Sequence, residues 1–144
     1  MPTPKTREAR ALSAMLSAFQ AITGQRLQHV WQMHTEGSLH RFIFDFDSVS
    51  LIVTADEDDD SIHVEVAGSP DANRAGCAEA SHLEPWKAFI GRSFGWGWVT
   101  VNQRGYCDGL LLSFEGIVPD VMLNVIASSI KIGLVTMVET KTLQ

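Results

Sequence analysis

Residues 94–114 restrict the fold of this chain more than any other segment, because they have the pattern of one long antiparallel β-hairpin. The small residue Gly105 favours a reversal of the chain at Arg104–Gly105. The predicted pairs on one face are Val101 with Asp108, Val99 with Leu110, Gly97 with Leu112 and Gly95 with Phe114. The predicted pairs on the other face are Asn102 with Cys107, Thr100 with Gly109, Trp98 with Leu111 and Trp96 with Ser113. The first face matches glycines with bulky residues, which is typical of a packed core layer.

The second face carries Trp96 and Trp98, two of the four tryptophans in the chain. We expect the N-terminal helix to cover them, because aromatic residues at strand spacing usually pack in a core. A subunit interface and an exposed binding surface are the alternatives, since tryptophan is enriched at binding hot spots. The hairpin tip adds four polar binding candidates, Asn102, Arg104, Tyr106 and Asp108.

Asp108 is predicted to share a face with Val101 and to be partly buried. A half-buried carboxylate beside Tyr106 or Arg104 is a reasonable pocket element. The competing interpretation, which we favour, is that Asn102 and Asp108 bond to the backbone of the turn.

The composition is that of a globular protein without a nucleic-acid or membrane partner. Its 144 residues fit a single domain over 1–144, and a chain of this length buries roughly two-thirds of its unfolded surface. The net charge is −6 and the eleven Lys and Arg residues are scattered singly, so no basic stripe for nucleic acid or an anionic membrane exists. No apolar run is long enough to span a bilayer, and the N-terminus has no secretory signal, which predicts a cytoplasmic protein.

The first half of the chain has the pattern of one helix followed by strands. The helix is predicted over residues 4–23, capped by Thr3 and ended by Gly24. Its predicted apolar stripe is Ala9, Leu12, Leu16, Phe19 and Ile22. Strands follow between residues 25 and 66, with a hairpin about Asp47–Ser48. The predicted pairs there are Phe46 with Val49, Phe44 with Leu51, Phe42 with Val53, Ile43 with Ile52 and Arg41 with Thr54.

The second half begins with a loop over residues 67–80 and a short helix over about 82–90. Two starts compete for that helix, Ser81 with a capping box and Glu84 followed by proline. Strands are then predicted between residues 95 and 138. A helix over 120–132 is the alternative at the end of the chain, although β-branched residues favour strands.

No motif in the sequence assigns chemistry. The acidic run 56–61 lacks the glycine and the glutamate of an EF-hand loop, so we interpret it as a solvated turn and predict no metal ligand. The five histidines have no metal-binding spacing, and no glycine-rich phosphate loop is present, so no cofactor is predicted. Cys77 and Cys107 are expected to be ordinary thiols rather than a disulfide.

Two runs in this sequence, Ile90–Trp98 and Val101–Gly109, resemble a small group of uncharacterised bacterial proteins that carry a domain of unknown function. The acidic turn and the tail Pro119–Asn124 are similar too, so the resemblance covers residues 25–135. It implies no activity and no functional residue. In size, acidity and α+β plan the chain is also similar to immunity proteins that neutralise bacterial toxins.

Together these patterns predict an α+β fold, with a long N-terminal helix packed on a mainly antiparallel sheet of seven to eight strands. The first functional hypothesis is a non-catalytic interaction module of bacterial type, homodimeric, which uses the Trp96/Trp98 face or the hairpin tip. An immunity-like inhibitor of a basic toxin is one form of it. The second is a small enzyme or ligand-binding protein with a pocket between the sheet and the 67–80 loop. Its reactive groups would be His82, Cys107 and Asp108.

Overall fold

The computed structural model describes residues 4–68 and 72–138, with side chains described from residue 10 onward. The elements are α1 (Pro4–Ile22), β1 (His29–Thr35), β2 (Ser38–Asp45), β3 (Val49–Ala55), β4 (Ile62–Gly68), β5 (Ala78–Glu79), a 3₁₀ turn (Trp86–Ala88), β6 (Phe94–Val101), β7 (Cys107–Phe114), β8 (Val121–Ile126) and β9 (Ser129–Leu134). The fold is therefore α+β, with one long helix packed on antiparallel strands, as the sequence predicts.

The nine described strands form two sheets rather than one. The first sheet has the order β4-β3-β2-β1-β5 and the second has the order β6-β7-β8-β9. The segment that follows α1 joins them, because Gly24 donates a hydrogen bond to the Phe94 carbonyl and Arg26 forms a bridge with Ser93. The extra strand, β5, has only two residues and lies inside the predicted 67–80 loop, too short to show an alternating pattern.

The inner faces of the two sheets and one side of α1 share a hydrophobic core. Its largest members are Met15, Phe19 and Ile22 from α1, Phe42, Phe44, Leu51 and Val53 from the first sheet, and Leu110, Leu112, Leu123 and Ile130 from the second. Trp86 is fully buried and packs edge-on against Phe42 and Phe44, at ring distances of 5.3 and 5.1 Å. The outer faces of both sheets consequently lie outside this core.

The predicted register of the β2–β3 hairpin is confirmed at every pair. Phe44 lies opposite Leu51 and Phe42 opposite Val53 on the core face, and Ile43 lies opposite Ile52 on the outer face. The amide of Phe46 donates to the Val49 carbonyl and closes the turn.

The predicted register of the β6–β7 hairpin is confirmed in its centre and wrong at both ends. Five central pairs are as predicted: Val99 with Leu110, Gly97 with Leu112, Thr100 with Gly109, Trp98 with Leu111 and Trp96 with Ser113. Near the tip the register shifts, so Val101 is opposite Cys107, instead of Asp108, and Cys107 is not opposite Asn102. At the other end Phe94, not Gly95, is opposite Phe114, because the Gly116 backbone lies where a Gly95 side chain would be.

Two details of the helical segments also differ from the prediction. In α1 the buried side is centred on Met15, and Leu16 is 44% exposed, because the helix packs on β3, β4 and β6 rather than on one sheet alone. The Thr3 cap and the Ala9 side chain lie outside the described residues. The short helix is only the 3₁₀ turn Trp86–Ala88, so both predicted starts are wrong, although Trp86 and Phe89 are buried.

The end of the described chain is a hairpin, not a helix. Strands β8 and β9 pair in an antiparallel register, which confirms the favoured prediction and excludes a helix over 120–132. Ala127 and Ser128 make the turn with φ values of 51° and 64°. A pair of positive φ values matches the right-handed twist of a tight hairpin.

The helix α1 lies on the glycine face of β6. A methyl group added at Gly97 would lie 2.6 Å from the Phe19 ring. The Phe19 side chain of the helix therefore packs directly on the backbone of β6. Phe19 in turn stacks on Phe94, with ring centroids 6.0 Å apart. The absent side chain at Gly97 therefore selects the face of the second sheet that the helix covers.

We expect Gly97→Ala to lower the free energy of unfolding by about 1–3 kcal/mol, because the added methyl forces Phe19 out of its packed position. Gly116→Ala is the matched control, since a methyl group there meets nothing within 4 Å. Chemical denaturation of both variants measures the difference. Equal stability of the two variants would contradict the close contact with Phe19.

Candidate functional site

The outer face of the second sheet carries an exposed apolar surface, which we call the Trp face: Trp96, Trp98, Leu111, Met122 and Ile126. Trp96 is 53% exposed, Met122 38% and Ile126 54%, while Trp98 and Leu111 are half-buried. The two indole rings lie side by side with centroids 6.5 Å apart. The prediction that the N-terminal helix covers these tryptophans is wrong, because α1 packs on the opposite, glycine-bearing face.

A cleft of about 290 Å³ continues the Trp face around the edge of the sheet. Trp96 and Gly97 form its wall on β6, and Leu16 and Phe19 line it on α1. The exposed Leu16 side chain, which the sequence placed in the core, therefore belongs to the same apolar surface as Trp96.

A polar row borders the Trp face toward the hairpin tip. The Thr100 hydroxyl donates to Asp108 Oδ1 at 2.9 Å, and the Asn124 amide donates to the Asp108 carbonyl at 3.1 Å. Asp108 thus bonds to a residue of the tryptophan-bearing side, which corrects its predicted place beside Val101. The reason is the register shift between Thr100 and Val101, which leaves Asp108 as the extra residue of β7.

Thr100 and Asn124 also occupy the space above Gly109, on the same face as Trp98. A methyl group at Gly109 would lie 2.7 Å from the Thr100 hydroxyl and 2.9 Å from the Asn124 amide nitrogen. Trp98 is therefore not used to shield its own sheet backbone at this position.

The remaining candidates of the hairpin tip have mostly structural roles. The Arg104 amide donates to Asn102 Oδ1 at 2.9 Å, so Asn102 bonds to the turn backbone as we favoured. Arg104 is exposed and Tyr106 half-buried at the end of the hairpin. The six predicted binding residues therefore fall into two groups. The turn joins Asn102, Arg104 and Tyr106. Trp96 and Trp98 lie side by side, and Asp108 bonds to Thr100 on the same face of β6.

The outer face of the first sheet is organised by Asp45, which sequence reasoning missed. Arg74 binds its carboxylate through two nitrogens, Nη2 at 2.5 Å and Nε at 3.2 Å. The Trp31 indole N–H and the Ser50 hydroxyl also donate to it, at 2.8 and 2.6 Å. The Arg74 guanidinium lies 5.9 Å above the Trp31 ring.

These contacts fasten the described part of the 67–80 loop to the sheet. Ala72 is buried against Ile43 and Ile52, and Trp31 and Cys77 pack beside them. An acidic residue next to the end of a strand was the only sequence signal for this cluster. Arg74 is 29 residues away from Asp45, and no pattern in the sequence links the two.

Burial raises the pKa of the Asp45 carboxyl, but the hydrogen bonds from Arg74, Ser50 and Trp31 and the charge of Arg74 outweigh it and hold the pKa below its ordinary value. Asp45 is therefore ionised at neutral pH and serves to bind Arg74.

The reactive groups of the second hypothesis lie apart. His82 is exposed and follows β5, three residues after Glu79, at the edge of the first sheet. Cys107 and Asp108 lie on β7 of the other sheet, and no disulfide joins Cys107 to Cys77. Burial raises the pKa of the Cys77 thiol, which opposes its use as a nucleophile at neutral pH.

The acidic turn is tied to the β8–β9 turn. Asp60 Oδ1 accepts a hydrogen bond from the Ser128 amide at 2.7 Å, and the Ser128 hydroxyl donates to the Glu57 carbonyl. A polar cleft of about 410 Å³ lies beside this contact, lined by Glu36, His40 and Glu57 among others. Within residues 4–68 and 72–138, no three His, Cys, Asp or Glu side chains are grouped to hold a metal ion.

A family model matches residues 13–139. The chain belongs to DUF6334, a family of unknown function. The predicted resemblance to proteins with a domain of unknown function is thereby confirmed, whereas a bacterial source stays a prediction. No curated protein and no solved structure matches this DUF6334 chain. In the described part of the chain, no helix has the length and apolarity needed to cross a membrane.

We expect Asp45→Asn to destabilise this DUF6334 protein at pH 7 by about 2–3 kcal/mol, because it leaves the Arg74 charge without its carboxylate. The lowered pKa of Asp45 means that its contribution is present above the unfolded-state pKa, about 3.9, and is lost as the pH falls through the folded-state pKa. Denaturation curves at several pH values measure both effects.

The control for this prediction is Glu65→Gln, which removes a carboxylate from an exposed position on the outer side of β4. It should change stability little at any pH. If Asp45→Asn and Glu65→Gln have the same stability from pH 7 to pH 3, the Asp45–Arg74 contact does not hold the segment.

Proposed function

We propose that this protein is a non-catalytic interaction module that uses the Trp face as its docking surface and binds a second copy of its own chain. The observation that carries the proposal is the exposure of Trp96 and the half-burial of Trp98 beside a core that is complete without them. Large aromatic side chains of this kind supply most of the free energy at protein interfaces.

The size of the Trp face is that of a weak, reversible contact. With strands about 4.8 Å apart and about 3.3 Å per residue, four short strands cover on the order of 300–400 Å² of flat area. Exposed apolar patches of roughly 300–600 Å² on single chains are often functional. Two such faces cover roughly 600–800 Å² together, below the about 1,200–2,000 Å² of stable interfaces, so the dimer should be weak and should depend on concentration.

The shape and the charges of the face favour a second copy as the partner. Sheets pack face to face at about 10 Å, so one sheet is a suitable cover for another. Asp108 lies toward the β6 side of the face and Lys131 lies on β9, so the face carries both signs of charge at opposite ends of its strand order. A surface with both signs can complement itself about a two-fold axis.

Catalysis has less support in this structure. His82 lies at the edge of one sheet and Cys107 on a strand of the other, so the groups needed for the enzyme hypothesis are not assembled. An immunity-like role would be a form of the interaction module, since a net charge of −6 suits a basic partner. It stays a prediction.

We expect sedimentation equilibrium to show a wild-type dimer whose fraction increases from micromolar to millimolar concentration. Met122→Lys should give a monomer with unchanged circular dichroism, because it places a charge in the centre of the Trp face. Trp98→Ala should weaken the dimer by about thirtyfold or more, as expected for loss of a hot spot of about 2 kcal/mol.

The matched control is Leu83→Lys, which replaces an apolar residue that is 42% exposed and lies between β5 of the first sheet and the 3₁₀ turn. It should dimerise like the wild type. A wild-type chain that stays monomeric at millimolar concentration would overturn the proposed function, as would a dimer that Met122→Lys leaves intact.

A further inference from the structure

The Trp face has an order of residue sizes that determines how two copies fit. One row across the four strands contains Trp98 on β6, Leu111 on β7, Met122 on β8 and Gly133 on β9. The largest side chain is at one edge and the residue without a side chain is at the other. If the partner presents the same row in the reverse strand order, each large side chain of one copy lies opposite a smaller residue of the other. Trp98 then lies opposite Gly133.

We infer that two copies pair about a two-fold axis parallel to the strands of the second sheet, which seats Trp98 of one protomer on Gly133 of its partner. The inference rests on the proposed function and specifies its geometry. Such an axis places each row of one copy over the same row of its partner. It also reverses the strand order, so β6 lies over β9 and β7 lies over β8. Leu111 then meets Met122 in the centre of the interface.

Gly133 has room for this contact. A methyl group built at Gly133 would have Met122 Cε, 3.6 Å away, as its nearest neighbour, which is an ordinary van der Waals distance. The glycine is therefore not required by packing inside its own chain, in contrast to Gly97. An incoming indole ring would use the space above Gly133 and lie against the Met122 methyl group.

The charges of the adjacent row support the same axis. That row contains Thr100, Gly109, Asn124 and Lys131 in strand order. Asp108 is held at the Thr100 end by the 2.9 Å hydrogen bond, and Lys131 is exposed at the other end. Reversal of the strand order brings each Asp108 opposite the Lys131 of the partner, and the symmetry produces this pair twice.

A two-fold axis that lies in the plane of the sheet and runs perpendicular to the strands fits less well. It would place β6 over β6, so that the two Trp98 side chains compete for one space while the two Gly133 positions face each other across a gap. It would also reverse the rows and bury the Asp108 row against the row of Trp96. The axis parallel to the strands avoids both costs.

The same axis places both hairpin tips at one end of the dimer. Arg104 and Tyr106 of the two copies then lie on a shared, two-fold symmetric surface. The two tips lie on opposite sides of the axis, because β6 lies over β9 and β7 over β8, so each tip is beside the β8–β9 pair of the partner.

The experiment uses the full chain and two kinds of variant, measured by native mass spectrometry and sedimentation. Gly133→Leu should retain the wild-type circular dichroism and become monomeric, because its side chain fills the space that receives Trp98. Glu65→Leu is the control, since it adds a leucine at an exposed position on the outer side of β4, in the other sheet. It should dimerise like the wild type.

The second kind of variant tests the charge pair and does not depend on Gly133→Leu folding. Lys131→Glu and Asp108→Lys should each weaken the homodimer by about tenfold, because each creates two like-charge contacts. When mixed, the two variants should form a heterodimer in preference to either homodimer, since both contacts regain opposite charges. High salt should reduce this preference.

The outcomes separate the inference from the proposed function. A wild-type dimer that is lost in Met122→Lys, retained in Gly133→Leu and not exchanged into the charge-swapped heterodimer would overturn the strand-parallel axis and leave the proposed function intact. A wild-type monomer at every concentration would overturn both.

Discussion

The contact between Gly97 and Phe19 determines the arrangement of this protein. A methyl group at Gly97 would lie 2.6 Å from the Phe19 ring, so only glycine allows α1 to lie so close to β6. A sheet has two faces and the chain has one long helix to cover them. Because the glycine face accepts the helix, the opposite face of the same strand, with Trp96 and Trp98, is left outside the core.

As a consequence, the outer faces of the two sheets differ in what covers them. The outer face of the first sheet is covered in part by the segment that Arg74 fastens to Asp45, and Ala72 is buried there. The Trp face of the second sheet is not covered by α1, which borders it at the cleft between Leu16 and Trp96. A face with two indole rings, a bare glycine and charges of both signs has the properties of an interface between copies, and this difference is the physical basis of the proposed function.

Much of the fold follows from the sequence because strand alternation is a local signal. The pairs Phe42 with Val53 and Gly97 with Leu112 were predictable from turn position and side-chain size. The bulge at Asp108 was not, since it reverses the alternation only at Cys107 and Asp108, two residues at the end of β7 that form no hydrophobic pattern. The Asp45–Arg74 contact joins residues 29 apart and has no local pattern. The prediction that the helix covers the tryptophans was wrong for a related reason. The glycine at position 97 was interpreted as packing between strands, whereas it also marks where the helix approaches the sheet.

The most direct test of this account is nuclear Overhauser spectroscopy of the chain at low concentration, where the monomer predominates. The account predicts cross-peaks between the Phe19 ring protons and the α-protons of Gly97, and none between the α1 side chains and the Trp98 indole. Cross-peaks from the Phe19 ring to the Trp98 indole, with none to Gly97, would place the helix on the tryptophan face and contradict the account.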